Sequence, residues 1–133
     1  GTLANTAPIV PLIKDRRYDE FYEASLTCEP NARVVDAARK AHMRGFTNLL
    51  LTGMADAYEA GLQSWLLRNG VPMDSVRMRP AGDRRKDFLL KEAMHRELSG
   101  RYVMVRAWED SPAVVGLWES LHIPVTVIPG WAA

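Results

Sequence analysis

Between Asn31 and Arg44 the apolar residues Val34, Val35, Ala38 and Ala41 return at helical spacing, with Arg33, Arg39 and Lys40 between them and Gly45 as a carboxyl cap. This predicts an amphipathic helix. The period then changes, and Thr47 to Leu51 forms a short apolar run before Thr52-Gly53, the pattern of a buried strand ending in a loop. Ala55 to Asn69 returns to helical spacing, with Tyr58, Leu62, Trp65 and Leu66 on one face and Asn69-Gly70 as the stop. Ser75 to Met78 is a weaker strand, and Arg84 to Leu98 places Phe88, Leu89, Met94 and Leu98 in a helical pattern ended by Ser99-Gly100. Tyr102 to Trp108 reads as a strand, although Arg106 is a charge out of place where both faces are covered. Ser111-Pro112 suits the opening of a last helix, serine as its cap, with Val114, Val115, Trp118 and Leu121 as the apolar face. Val125 to Ile128 is the final strand, closed by Pro129-Gly130.

Alternation of helix and strand predicts an α/β fold, a three-layer sandwich with a mostly parallel sheet and helices on both sides. Residues 5–30 fall outside this rhythm. Pro8 and Pro11 oppose a long helix there, and Lys14-Asp15-Arg16-Arg17 predicts an exposed loop or small flap. At 133 residues, 1–133 is expected to form a single domain with one core.

Composition narrows the class without naming it. A hydrophobic fraction of 47% and a charged fraction of 25% fit a globular protein, and no apolar run is long enough to span a bilayer. With 17 basic against 16 acidic side chains, any nucleic-acid contact has to be local rather than driven by bulk charge. Cys28 is alone, which excludes an internal disulfide and a cysteine-based zinc cluster and is compatible with a reducing cytoplasm. His42, His95 and His122 lie on separate predicted helices without ligand spacing, and there is no Gly-x-x-x-x-Gly-Lys phosphate loop.

Chemistry concentrates where predicted strands end or helices begin, the place where open α/β sheets put their ligands. Thr52 offers a hydroxyl to a phosphate oxygen, or caps the following helix. Lys86 offers a cation to a phosphate, or is a solvated lysine at a helix start. Glu109 and Asp110 offer oxygens to Mg²⁺, or favour the amino end of a helix dipole. Arg77, Arg79, Arg84 and Arg85 form a basic cluster on this edge; guanidinium forks suit phosphates, and they are equally at home on a solvated surface. Trp108 beside the acidic pair is a core residue or a base-stacking platform.

Four pieces in chain order carry a resemblance: Gly1-Thr2-Leu3-Ala4, Leu51-Thr52-Gly53, Gly82-Asp83-Arg84-Arg85-Lys86-Asp87, and Glu109-Asp110 followed by Val114-Val115 and Trp118. Together with Tyr18-Asp19 and Glu29-Pro30 they resemble the haloacid dehalogenase superfamily of phosphohydrolases, and within it the 3'-phosphatase domain of bacteriophage polynucleotide kinase-phosphatases. The third piece is the most specific, being far longer than the lone lysine of the wider superfamily.

The resemblance implies a Mg²⁺-dependent phosphomonoester hydrolase with a Rossmann-like fold and minimal cap, working through an aspartyl-phosphate. Gly1 to Ala4 matches the tail of the family's Asp-x-Asp-Gly-Thr-Leu-Ala signature, so the nucleophile and its partner acid are expected upstream of Gly1, on a central strand that the printed sequence lacks. It implies catalytic roles for Thr52, Lys86 and Asp83, metal binding by Glu109 and Asp110, and substrate contacts from Thr2, Gly53, Arg79, Arg84 and Arg85. It further implies a phosphorylated nucleic-acid end or a nucleotide as partner, a fused or associated kinase domain, and a phage-infected or bacterial cytoplasm. Two positions depart from the family pattern: Met54 stands where the phage enzymes have arginine, and Glu109 where aspartate is usual. These departures keep open a catalytically reduced binding or structural module, and a small-molecule nucleotidase is a further alternative.

Overall fold

The computed structural model of the chain describes residues 1–129. Gly130, the second half of the expected closing Pro-Gly pair, lies outside them. The helices are α1 (Val10–Lys14), α2 (Tyr18–Ser25), α3 (Ala32–Met43), α4 (Glu59–Arg68), α5 (Asp87–Leu98) and α6 (Pro112–Ser120). The strands are β1 (Leu49–Ala55), β2 (Ser75–Arg79), β3 (Ala107–Glu109) and β4 (Val125–Val127). β1 pairs in parallel with β2, and β3 in parallel with β4.

Successive residues of β1 serve opposite layers, as the alternation of a strand requires. Leu50 packs with Val35 of α3 and Leu62, Trp65 and Leu66 of α4, whereas Leu51 packs with Val114, Leu117 and Trp118 of α6 and Phe88 of α5. Helices therefore cover both faces. Each buried leucine here contributes about 1.5 to 3 kcal/mol relative to exposure. α3 ends as expected, since Gly45 takes a positive φ of 84° that a side chain would oppose.

The two strand pairs stand apart. Between the free edges of β1 and β3 lies a cavity of about 780 Å³, walled by Leu49, Leu50 and Leu51 on one side and Ala107, Trp108 and Glu109 on the other. The flap region is more ordered than proline content suggested: a 3₁₀ turn at Ala7–Ile9 precedes α1 and α2. Pro11 sits in the first turn of α1, where no backbone N–H is needed, so it opens a short helix instead of preventing one.

Three expected boundaries move, each for a physical reason. β1 does not end before Thr52-Gly53 but runs on to Ala55, with an irregularity: the three residues between Leu51 and Ala55 face the single residue between Arg77 and Arg79. α5 begins at Asp87 rather than Arg84, because Arg79 Nη1 binds the carbonyls of Arg85 (2.6 Å) and Asp83 (3.3 Å) and holds that stretch as a loop. The expected strand over 102–108 shrinks to β3, which leaves Arg106 outside it; exposed, it donates to Thr126 Oγ1 at 3.1 Å. β4 offers pairing only along three residues, so nothing extends the ladder toward Tyr102.

Candidate active site

The carboxyl ends of β1 and β3 meet around Gly1, whose nitrogen lies in the field of Asp110, Lys91, Glu109 and Asp87. The amino-terminal segment is tied in place by Asn31, which donates from Nδ2 to the carbonyls of Thr2 (2.7 Å) and Gly1 (3.1 Å). Thr2 Oγ1 then donates to Asp110 Oδ1 at 2.8 Å. In this arrangement Thr2 spends its hydroxyl proton on orienting Asp110.

Glu109 and Asp110 are adjacent in sequence and opposite in role. Glu109 is buried with both oxygens committed: Oε2 receives Lys91 Nζ at 3.0 Å, and Oε1 accepts the backbone N–H groups of Asp110 (3.0 Å) and Ser111 (3.2 Å). Oε1 thereby fixes the two residues that lead into α6, while Ser111, at the expected cap position, makes no side-chain cap bond. In this structure Glu109 acts as an anchor between α5 and the residues leading into α6. Asp110, equally buried, leaves Oδ2 without any hydrogen-bond partner, 4.0 Å from the nitrogen of Gly1. Such an atom costs several kcal/mol unless a ligand completes it.

On the opposite side, Thr52 Oγ1 accepts the Met54 N–H at 3.1 Å, while the Gly53 carbonyl accepts both Arg79 Nε (2.9 Å) and Tyr22 Oη (3.0 Å). A Cβ on Gly53 would stand 2.5 Å from Asp87 Oδ1, so a side chain there would push that carboxylate aside. Arg79 Nη2 reaches the same Asp87 oxygen at 2.6 Å. Arg79 is therefore consumed in bracing the 80–87 loop against β1, not displayed to a ligand as expected. Arg85 is likewise occupied, bound through Nε and Nη2 to Asp83, and this ion pair with the Arg85 backbone N–H lowers the Asp83 pKa to about 2. Asp83 thus orients an arginine.

Lys86 stands exposed at the N-cap position of α5 without a side-chain cap bond, and among the described residues neither it nor Arg84 has an ion-pair partner. The lysine that the fold buries beside the acidic pair is Lys91, which motif position does not single out. A signal is present nonetheless: Lys91 falls on the stripe of Phe88, Met94 and Leu98, where a charge has to find a partner. Asp87, the last residue of the charged run, is a second contributor that the motif alone does not mark. Trp108 is half-buried beside the slot, with the Arg106 guanidinium 6.0 Å from its ring, closer to packing than to display.

The family model described as the polynucleotide kinase PNKP phosphatase domain matches residues 1–129. The chain belongs to this family. A viral protein named as a putative bifunctional polynucleotide kinase/RNA ligase, from Autographa californica nuclear polyhedrosis virus, is 40% identical over 48 residues, 35% of this chain and 7% of that protein. A chain of the solved Pnkp1/Rnl/Hen1 RNA repair complex superposes with a TM-score of 0.77 at 24% identity, covering 81% of this chain and 35% of that one. A second Pnkp1/Rnl/Hen1 structure gives 0.76 at 25% identity, covering 79% and 37%. The chain thus spans about a third of those solved chains and a small part of the viral protein. These likenesses establish the Rossmann-like haloacid dehalogenase fold. No helix of the described residues is long and apolar enough to cross a membrane.

Proposed function

We propose that this protein hydrolyses a phosphate monoester at the 3' end of a polynucleotide. The observation that supports this most is the buried, unpartnered Oδ2 of Asp110 where the ends of β1 and β3 meet, in a chain of the phosphatase-domain family. In this reading the nucleophilic aspartate sits on a segment leading into Gly1, laid as a strand along the slot between β1 and β3. Parallel pairing on both sides would then satisfy two open edges and fill the cavity.

A magnesium ion fits the donor set in one respect and not another. Asp110 offers a bare carboxylate oxygen, whereas Glu109 has none to give, and no group of three or more metal-binding side chains gathers among the described residues. Asp110 would hold the ion with water and phosphate oxygens completing its shell, and the ion would offset the phosphate charge.

The chain's own residues divide the remaining work. Thr52 donates its hydroxyl to a phosphate oxygen, with one of its two lone pairs engaged by the Met54 N–H. Lys91 holds Glu109, and with it the entry to α6, so that Asp110 is presented at a fixed angle. Arg84 and Lys86, the exposed cations of the 80–87 loop, contact backbone phosphates further along the strand.

The test uses the protein with whatever residues its gene encodes before Gly1. Phosphate release is measured from a 3'-phosphorylated oligonucleotide and from 3'-mononucleotides, with Mg²⁺ and with chelator. Metal-dependent release favouring the oligonucleotide supports the proposal; equal rates on both shift it to a nucleotidase. No release from either removes the enzymatic reading. The kinase/ligase name of the viral relative and the repair complex of the structural neighbours support a kinase or ligase partner for this domain.

A further inference from the structure

The flap and the phosphate end of β1 are joined at one peptide unit. The Gly53 carbonyl receives Tyr22 Oη at 3.0 Å and Arg79 Nε at 2.9 Å, and the N–H of that same peptide, on Met54, donates to Thr52 Oγ1 at 3.1 Å. Two donors saturate the carbonyl's lone pairs, fix the peptide plane, and polarise its N–H toward Thr52. A threonine hydroxyl has one hydrogen to give. With Met54 N–H on one of its lone pairs, that hydrogen is turned away from the backbone. The bulge between Leu51 and Ala55 makes this support necessary, because there β1 lacks the regular ladder that would hold the peptide.

We propose that Tyr22 is a positioning residue: through the 53–54 peptide, its hydroxyl sets the Thr52 hydroxyl as a ready donor to substrate phosphate. The inference rests on the phosphatase reading for its readout in turnover. Tyr22 is well placed for the task. Its ring meets Tyr58 edge-on at 5.7 Å and Phe21 at 6.1 Å, and Tyr58 Oη returns to Asp19 Oδ1 on α2 at 3.2 Å. Burial raises the phenol's pKa, so it stays protonated and donating near neutrality. Arg79, the other donor, also holds Asp87 and the carbonyls of Asp83 and Arg85, so the tyrosine hydroxyl is the support that can be removed alone.

The experiment compares Tyr22→Phe in the wild-type and Thr52→Val backgrounds of the full protein, on a 3'-phosphorylated oligonucleotide. One neutral hydrogen bond corresponds to a loss on the order of fivefold in kcat/KM for Tyr22→Phe alone. In the Thr52→Val background the same change is expected to cost nothing more in kcat/KM. Equal losses in the two backgrounds, or no loss in either, overturn the proposal. Hydrogen exchange at the Met54 amide decides it without turnover: Tyr22→Phe should speed exchange there, and unaltered exchange would again overturn it. If the unmutated protein releases no phosphate, the phosphatase reading fails on that result, and exchange at the Met54 amide still decides whether Tyr22 holds the peptide.

Discussion

The ends of β1 and β3 flank one space but manage charge in opposite ways. At β1, two acids each have an arginine: Asp87 holds Arg79, Asp83 holds Arg85, and the Gly53 carbonyl is doubly bonded. At β3, one acid is saturated and its neighbour is left with a bare oxygen. The first end is a finished scaffold that orients neutral donors. The second stores an unmet demand for positive charge, which a folded protein tolerates only where a ligand returns the cost.

The largest effect should come from breaking the saturated half of the β3 end. Lys91→Ala strands the buried Glu109 carboxylate and is expected to cost about 3 to 5 kcal/mol, read by urea unfolding. Adding Glu109→Gln should recover a substantial part, since the amide needs no counter-charge. Failure to recover would mean that Lys91 acts by packing alone.

Asp110→Asn attacks the other half and should separate activity from stability. Turnover is expected to fall on the order of 100-fold or more, while stability holds or rises because a buried charge has been removed. The wild type should also gain Tm on Mg²⁺ addition and the variant should not. A stability loss like that of Lys91→Ala would show the two acids to be equivalent after all.

At the β1 end, Gly53→Ala should cost about 1 to 3 kcal/mol, as the new methyl displaces the Asp87 carboxylate from Arg79. An equally stable variant would mean that the loop has room to move. The smallest effect is a titration. Asp83 has its folded pKa depressed to about 2, from an ordinary 3.8. Its stabilising contribution is therefore complete above about pH 4 and lost as pH falls toward 2. Carboxyl carbon shifts should show that midpoint, and Arg85→Gln should return it toward the ordinary value.

The strand ends that bound this space are legible in the chain, and the residues whose surroundings differ from what motif position suggests share a cause. Thr52, Gly53 and Asp110 stand out because motif position marks a strand end. Lys86 draws attention by its place in a charged run, yet the fold leaves it exposed and buries Lys91 five residues on. Glu109 reads as one of a pair with Asp110, although the residues leading into α6 and Lys91 engage one Glu109 oxygen each. Arg106 looks anomalous only against a seven-residue strand, where β4 supports three.

By itself the sequence determined the rhythm of helices and strands, the two-sided covering of β1, and the order in which chemical groups reach the strand ends, because periodicity and capping act over a few neighbouring residues. Only the tertiary structure decided which acid is spent and which is free, which lysine is buried, and that a flap tyrosine braces the Thr52 turn. Those outcomes turn on groups up to 108 positions apart, as with Thr2 and Asp110, and a hydrogen bond depends on separation in space rather than along the chain.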